Sequence, residues 1–212
     1  MKRLGIAITA TFLFSFLAAS QADATNWTGT TGSWHNPANW DGGVPTSSHY
    51  ALINNGGTAQ ISAGAESFHL YAGYSGSGAV EQTAGTNTVS SDLWLGYQSG
   101  TSGTYSLSAG ALSVGYSEYI GSYGTGEFNQ TGGTHTVSNN LLLGRSSSGT
   151  FNLSAGDLSA GSEYIGYYYG TGEFNQTGGT NTVGYLFVKN GSSYNFSGGT
   201  LSIGDSAEIN GS

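Results

Sequence analysis

Two glutamates in identical surroundings are the residues best placed to do acid–base chemistry. Glu127 and Glu173 each lie in the segment GTGEFNQTGGT, which occurs at Gly124–Thr134 and again, 46 residues later, at Gly170–Thr180. A glycosidase needs two carboxyl groups about 5–9.5 Å apart across a cleft. If the two copies are strands two coils apart in a stack, their glutamates are separated by about 9.5 Å. Both would then point the same way from one outer face, so we expect a solvated structural role.

The sequence also lacks the residues that other catalytic mechanisms require. A lyase acting on acidic polysaccharides needs clustered acids for Ca²⁺ and a basic proton acceptor, but Arg145 and Lys189 are the only strong bases after residue 24 and have no acid cluster beside them in the sequence. The chain has no G-x-S-x-G motif and no calcium-binding nonapeptide repeat. The four histidines show no metal-ligand spacing: His35, His49, His69 and His135. The sequence therefore predicts no catalytic residue, no metal site and no cofactor, and a protein that is not an enzyme.

The first residues have the three parts of a secretory signal peptide. Lys2 and Arg3 form a basic start, Leu4–Ala19 is apolar, and Ala22–Ala24 reads as an A-x-A cleavage site. The alternative, a membrane anchor, is less favoured because the apolar run is shorter than the roughly 18–20 residues of a spanning helix. We therefore expect residues 1–24 to be a Sec-type signal and the chain to reach the extracellular space or the outer cell surface.

The amino-acid composition limits which classes of partner the chain can bind. Without the signal the chain keeps two cations against eleven acids, a net charge of −9. Such a chain has too few cations to neutralise a phosphate backbone, which excludes nucleic acid as a partner. Anionic lipid is disfavoured for the same reason, so we expect membrane association only through an anchor or barrel that this sequence does not contain.

An internal repeat organises the rest of the chain. Six units each begin with a short triplet, and the central residues of these triplets recur at spacings of 23, 25, 23, 22 and 23: Tyr71, Trp94, Tyr119, Leu142, Tyr164 and Phe187. A second segment such as GEFNQTGG and a third such as THTVS follow in each unit. Three short strands per unit, separated by glycine-rich corners, are typical of one solenoid coil. The sequence predicts an all-β fold, a single-stranded parallel β-helix (β-solenoid), right-handed, with about six coils over 67–212.

Alternation along the strands predicts which side chains face inward. One inward column is aromatic or apolar: Val80, Tyr105, Phe128, Phe151, Phe174 and Tyr194. Two further columns alternate between polar and apolar coils: Gln82, Leu107, Gln130, Leu153, Gln176 and Phe196, and then Asn87, Leu112, His135, Leu158, Asn181 and Leu201. Because buried amides need partners, we expect Gln130 and His135 to hydrogen-bond across one coil or to corner backbone groups. The alternative is an internal ligand or proton site.

Two outer stripes follow from the same register. The triplet centres form a column that could stack on sugars or dock a partner, and they are the candidate glycan- or partner-binding residues: Tyr71, Trp94, Tyr119, Tyr164 and Phe187. The open alternative points these residues inward and places Glu118 and Glu163 outside. The third segments give hydroxyl-rich rows that resemble ice-binding surfaces of hyperactive antifreeze proteins, but only three of six rows read Thr-x-Thr.

Residues 25–66 differ from the repeats and suit a cap followed by the first irregular strands. A solenoid end must be covered, and three tryptophans in this stretch could close the core: Trp27, Trp34 and Trp40. The pattern W-x-G-x-x-G-x-W-x-x-x-x-N-W-x-x-G-x-P, from Trp27 to Pro45, resembles the start of large secreted bacterial repeat proteins, among them autotransporter-passenger-like and PEP-CTERM or dockerin-bearing proteins. The units G-x-[FYL]-N-[QL]-[TS]-[AG]-G are similar to their passenger repeats. The resemblance covers about 25–212.

The resemblance implies a β-solenoid stalk that is displayed on or released from the cell surface, often for adhesion to surface glycans or to host or matrix proteins. The chain departs from it by ending in mid-pattern with DSAEINGS, which we expect of a piece truncated at its C-terminus. The sequence therefore favours an exported, non-catalytic structural or adhesive solenoid. The alternative is an extracellular carbohydrate-binding module that uses the aromatic column.

Overall fold

The short apolar triplets form stacked parallel strands, and the glycine-rich segments between them form the corners. The structure, a computed structural model, describes residues 23–210. The predicted signal peptide, residues 1–24, lies outside the described residues except for its last two positions. Within 23–210 no helix is long and apolar enough to cross a bilayer. The helix described in this range is a single 3₁₀ turn, Pro37–Asn39.

Twenty strands follow one another along the described residues. The first ten are β1 (Ala24–Asn26), β2 (Thr31–Ser33), β3 (Tyr50–Ile53), β4 (Thr58–Ile61), β5 (Ala65–Ser67), β6 (His69–Ala72), β7 (Gly78–Gln82), β8 (Thr86–Val89), β9 (Leu93–Leu95) and β10 (Ser102–Leu107). The others are β11 (Ala111–Val114), β12 (Glu118–Ile120), β13 (Thr125–Gln130), β14 (Thr134–Leu143), β15 (Ser148–Leu153), β16 (Asp157–Ile165), β17 (Thr171–Gln176), β18 (Thr180–Val188), β19 (Ser193–Phe196) and β20 (Thr200–Ile209).

The strands pair in parallel and form three columns along the stack, one for each segment of the repeat. The second column is an eight-stranded sheet, β2-β4-β7-β10-β13-β15-β17-β19. The first and third columns share a twelve-stranded sheet. They are joined because β14, β16, β18 and β20 each carry the third segment of one coil directly into the first segment of the next. In β14, for example, Thr134–Val137 pairs with β11 and Leu141–Leu143 pairs with β12.

The β-solenoid fold and its spacing of about 23 residues are confirmed, but the coil count is larger than predicted. The eight strands of the second column correspond to about eight turns rather than six. The two additional turns come from the segment assigned to the cap and first irregular strands. There β2 pairs with β4 and β4 pairs with β7, so this segment is already in register with the repeats.

The predicted interior is confirmed over most of its length. The rings of the aromatic column lie nearly parallel, with centroids 4.6–5.0 Å apart from Tyr105 to Tyr194. This separation equals the spacing of paired strands, so each ring contacts the ring of the next coil. The alternating polar and apolar positions are buried as well, among them Gln82, Leu107 and Gln130. The core is therefore a continuous column rather than one cluster for each coil.

Corner glycines let the backbone of one coil pass directly over the next. Gly144 has φ +67°, and a Cβ placed on it would collide with the carbonyl oxygen of Thr171 in the following coil. An L-residue at this position would meet both a strained backbone and a steric clash. The coil-to-coil spacing at this corner therefore depends on the absence of a side chain.

The N-terminal cap is built from the three predicted tryptophans. Trp27, Trp34 and Trp40 are buried, and Trp40 contacts the other two edge-on at ring distances of 5.0 and 4.8 Å. The indole N–H of Trp40 donates to the carbonyl of Trp34 at 2.7 Å. These rings cover the first turn of the core, as the sequence predicts.

At the other end of the described stack, one inward prediction is wrong. Phe196 is 52% exposed, although the equivalent residues Leu107 and Leu153 are fully buried. The reason is positional, because β19 is the last strand of the second column within the described residues and is covered on one side only. Leu201, which was also predicted to face inward, is half-buried for the same reason.

Candidate functional site

The outer surface of the first column carries the residues predicted to bind a glycan or a partner. They lie in strict register from coil to coil: Tyr71, Trp94, Tyr119, Leu142, Tyr164 and Phe187. Their neighbours along the strand point inward, since Leu93 and Leu95 are fully buried. Glu118 and Glu163 are also fully buried, so the alternative that placed these glutamates outside is wrong. We call this outward column the aromatic ladder, although Leu142 interrupts its rings and Tyr71 and Leu142 are themselves buried.

Ring stacking decides what the aromatic ladder presents to solvent. Tyr71 stacks on Trp94 at 4.6 Å with 4° between the planes, and Trp94 stacks on Tyr119 at 5.4 Å with 5°. Both faces of the indole are therefore covered by neighbouring rings, which leaves its edge for solvent. Sugars dock on exposed ring faces through offset stacking geometry. This part of the ladder offers edges and hydroxyl groups instead.

A second aromatic row lies beside the ladder at the corner that leads to the second column. Tyr74 and Tyr97 stack at 5.1 Å with 7° between their planes. Tyr97 meets the rings of Tyr71 and Trp94 edge-on at 5.4 and 5.9 Å. The two rows form one continuous aromatic surface over neighbouring coils, of the kind that marks interaction sites on soluble proteins.

Burial within this surface changes the acidity of its members. Burial raises the pKa of the Tyr71 phenol well above its usual value, and burial raises that of Tyr119 as well. Burial lowers the pKa of His69, and the nearby carboxylate of Asp92 opposes this shift. Tyr71 and Tyr119 therefore stay neutral hydroxyl groups, and His69 a neutral imidazole, at physiological pH.

The predicted acid pair, Glu127 and Glu173, lies on the outer face of the second column. The coil of Thr150 separates them, because Thr150 pairs with both. Each carboxylate accepts a hydrogen bond from an asparagine, at 2.9 Å from Asn129 and at 3.3 Å from Asn195. The two glutamates share one outer face rather than opposing each other across a cleft.

Those asparagines belong to a ladder that the sequence reasoning missed. Asn152 donates to Asn129 at 2.8 Å, Asn175 donates to Asn152 at 3.0 Å, and Asn195 donates to Asn175 at 2.8 Å. Identical amides in register satisfy each other along a stack of parallel strands, as in other cross-β arrangements. The signal was present in the recurring F-N and Y-N pairs of the second segments.

Inside the solenoid, the buried glutamines are satisfied by the backbone. The side-chain amide of Gln130 donates to the carbonyl oxygens of Gly133 and Asp157, at 3.4 and 3.0 Å. Gln82 and Gln176 make equivalent bonds to the corner of their own coil and to the next coil. Of the two interpretations given for Gln130, bonding to corner backbone groups is therefore confirmed.

His135 has a partner that was not predicted. Its Nε2 lies 2.7 Å from Oε2 of Glu118, and both side chains are fully buried. The two atoms are at ion-pair distance, but their orientation departs from that of a well-directed hydrogen bond. The His135 ring also stacks on Phe128 at 4.6 Å. Glu118 was recognisable in the sequence as the acid that replaces a leucine in the inward column.

Two coils further on, Glu163 takes the place of Glu118 and meets an amide instead of a histidine. Asn181 donates to Oε2 of Glu163 at 3.1 Å, while Oε1 of Glu163 and Oδ1 of Asn181 have no partner. Burial raises the pKa of Glu163 from 4.5 to about 8. A proton on this carboxyl adds the donor that the two unpaired oxygens lack. The site can hold a proton, but it has no contact with solvent through which to act on an external substrate.

One cleft lies between the cap and the third column. It has a volume of about 390 Å³ and is lined by Trp34, His35, Val44, Glu66 and Thr88, among others. His35 hydrogen-bonds to the carbonyl of Gly64 within it. Among residues 23–210, no three His, Asp or Glu side chains converge in a way that would hold a metal ion.

Comparisons of the chain with protein-family models, with curated proteins and with solved structures find no match. The resemblance to secreted bacterial passenger and PEP-CTERM-type proteins therefore stays a prediction.

Proposed function

We propose that the chain is an exported, non-catalytic structural solenoid that serves in adhesion at a cell surface. The observation that carries the proposal is the aromatic ladder with its adjoining tyrosine row. In a soluble protein a continuous aromatic surface is typical of a contact site for a partner. The solenoid would act as a rigid support that holds this surface in place over neighbouring coils.

Three kinds of contact that run along the same axis support rigidity: parallel backbone pairing, the inner ring stack and the outer amide ladder. The inner rings from Tyr105 to Tyr194 stack without interruption, and the outer amides from Asn129 to Asn195 bond without interruption. In the coils from Asn129 to Asn195, neighbouring coils are thereby tied by backbone pairing, by ring contact and by amide bonds. Such a stack transmits force along its length instead of closing around a substrate.

Adhesion can be measured with beads coated with the purified protein, on surfaces bearing matrix proteins or glycans. We expect retention of the beads, and we expect Trp94→Ala combined with Tyr119→Ala to reduce it strongly. Tyr116→Ala is the matched control, because Tyr116 is an exposed tyrosine that makes no ring contact with the ladder. Trp94→Phe preserves stacking and tests whether a loss of adhesion reflects a loss of folding. Equal retention of native and double-variant beads would refute the proposal.

Carbohydrate binding is the second candidate, and the half-buried rings beyond the stacked part of the ladder favour it. Tyr164 and Phe187 are tilted by 49° and leave more of their faces uncovered than Trp94 does. A glycan array with the purified protein tests this candidate. Binding that Tyr164→Ala with Phe187→Ala leaves unchanged would contradict a role for this end of the ladder. Turnover of acidic polysaccharide that Glu127→Gln or Glu173→Gln abolishes would instead show an enzyme.

A further inference from the structure

One corner of the solenoid carries both cations found in residues 23–210. Arg145 occupies the corner position that Tyr74 and Tyr97 occupy in earlier coils, and Lys189 takes the place of the corner glycines Gly144 and Gly166. Everything else that is charged in this part of the chain is an acid or a histidine. The positive charge is thus concentrated at one place, two coils from end to end.

Arg145 lies between two exposed tyrosines. The central carbon of its guanidinium is 5.5 Å from the ring centroid of Tyr123 and 5.5 Å from that of Tyr168. Cation–π contacts at this distance hold a guanidinium plane in place. No side-chain hydrogen bond engages its N–H groups within the described residues, so the planar fork remains available for a carboxylate.

Lys189 organises the loop that carries the tyrosines. Its ammonium donates to the carbonyl oxygens of Tyr168 and Gly170 at 2.8 and 3.1 Å. Tyr168 has φ 44°, which is unusual for a residue with a side chain, and such strain recurs where a loop presents a ligand contact. The next residue, Tyr169, is 92% exposed and makes no ring contact, so both its faces are open.

Neither cation is neutralised by the protein. In the described part of the chain, the ion-pair contacts within 4.0 Å involve histidines only, His69 with Asp92 and His135 with Glu118. Two unpaired cations beside open phenol rings, on a chain that is otherwise acidic, favour a ligand that brings its own negative charge. The exposed Tyr123 ring, at 52%, widens the same surface.

We propose that this corner, formed by Tyr123, Arg145, Tyr168, Tyr169 and Lys189, binds an acidic polysaccharide built from uronate sugars. The inference rests on the proposed adhesive function and names the chemistry of its ligand. The guanidinium fork of Arg145 donates two parallel N–H bonds to one carboxylate, and the remaining N–H of Lys189 adds a second contact. The apolar face of the sugar ring packs on Tyr169, whose faces are free.

The competing anionic polymers fit less well. Nucleic acid needs several phosphate contacts for useful affinity, and only two cations are present. An acidic peptide supplies carboxylates on flexible side chains but no pyranose C–H face to lie against the open phenol. A uronate polymer supplies a carboxylate and a sugar ring in every unit, and its repeating units allow rebinding along the chain.

The test is binding of the purified protein to polygalacturonate, measured by calorimetry or by retardation in an affinity gel. Fully methyl-esterified polygalacturonate has the same sugar backbone without the charge, and polyglutamate has the charge without the sugar. We expect binding to polygalacturonate alone, and we expect it to weaken as salt is added because exposed charges are screened.

Variants locate the contact. Arg145→Gln removes a charge-assisted double hydrogen bond, which corresponds to a loss of about 10- to 100-fold in affinity. Arg145→Lys keeps the charge but not the fork and should recover part of this loss. Tyr169→Ala should weaken binding several-fold. Thr136→Glu on the exposed third column shifts net charge by the same amount as Arg145→Gln, and we expect no change in binding.

Each outcome is decisive. Equal binding to polyglutamate would mean that a charged polymer suffices, and equal binding to the methyl ester would mean that charge is irrelevant; either result overturns the inference. Equal losses for Arg145→Gln and Thr136→Glu would also overturn it, since net charge alone would then explain the effect. Retained bead adhesion with no uronate binding would refute this ligand while leaving the adhesive function standing.

Discussion

A single buried carboxyl, Glu163, should make the stability of the solenoid depend on pH. Its pKa is about 8 in the folded protein, against 4.5 for an exposed glutamate, because burial disfavours the charged form. The folded state therefore holds more protons than the unfolded chain between these two values. Stability consequently falls as the pH rises through this window, and below it the penalty is absent.

The magnitude follows from the shift. Each pKa unit corresponds to about 1.4 kcal/mol, so a shift from 4.5 to about 8 costs about 5 kcal/mol of unfolding free energy once the pH exceeds the folded pKa. Glu163→Gln removes the titrating proton, while its amide N–H takes the donor role of the protonated carboxyl towards Asn181. Glu163→Leu copies the residue found at the same place in the adjacent coils, Leu141 and Leu186.

The assay is urea unfolding, followed by far-UV circular dichroism from about pH 5 to pH 9. We expect the advantage of Glu163→Gln over the native protein to grow by about 1.4 kcal/mol per pH unit and to level off near pH 8. Glu127→Gln is the matched control, because Glu127 lies on the outer face and is exposed. A difference between Glu163→Gln and native protein that stays constant over the whole range would refute the reasoning.

Three further perturbations test other parts of the stack. Gly144→Ala should lower the unfolding free energy by several kcal/mol because its Cβ collides with the Thr171 carbonyl. Gly100→Ala should cost only about 1 kcal/mol, because Gly100 has a positive φ but open space around it. Similar thermal midpoints for the two variants would contradict the importance of this close packing. Tyr105→Phe deletes a hydroxyl that bonds two buried amides and should cost about 1–3 kcal/mol in urea unfolding, so an unchanged midpoint would count against that network. Asn152→Ala breaks the amide ladder at two bonds and should lower the unfolding free energy in urea by about 1–2 kcal/mol. An unchanged unfolding free energy would show that the ladder does not stabilise the fold.

Periodicity made the architecture predictable. The spacing of the triplets indicated the coil, and alternation within the second segments placed the ring column from Tyr105 to Tyr194 inside. The alternation of glutamine coils with leucine coils was also legible, because both residue types recur at fixed offsets. These features depend on strand geometry alone, which the sequence pattern encodes directly.

What the sequence left open depends on lateral contacts between columns. Glu118 faces His135 across the core from a different strand, and no spacing rule connects two residues 17 positions apart around a coil. The cationic corner was missed for a related reason. Arg145 and Tyr168 lie in different coils, and only the stacking of the loops brings the guanidinium beside the ring.

The first turns were undercounted because their triplets are irregular. Ala51 and Ile53 fill inward positions that later coils give to leucines, and the intervening cap loop stretches the spacing beyond the repeat. Phe196, at the other end of the described stack, was predicted to be buried but is exposed. Its alternation marks it as inward, but burial requires a covering strand, which the described stack does not supply on that side.

Export from the cell is the central claim, and the location of the protein tests it most directly. Intact cells that produce it can be treated with a protease that does not enter them, and the remaining chain can be quantified and its N-terminus determined by mass spectrometry. We predict that the protease removes the protein from intact cells and that its chain begins at about Thr25. Full protection inside the cells, with Met1–Ala24 retained, would contradict an exported adhesive solenoid.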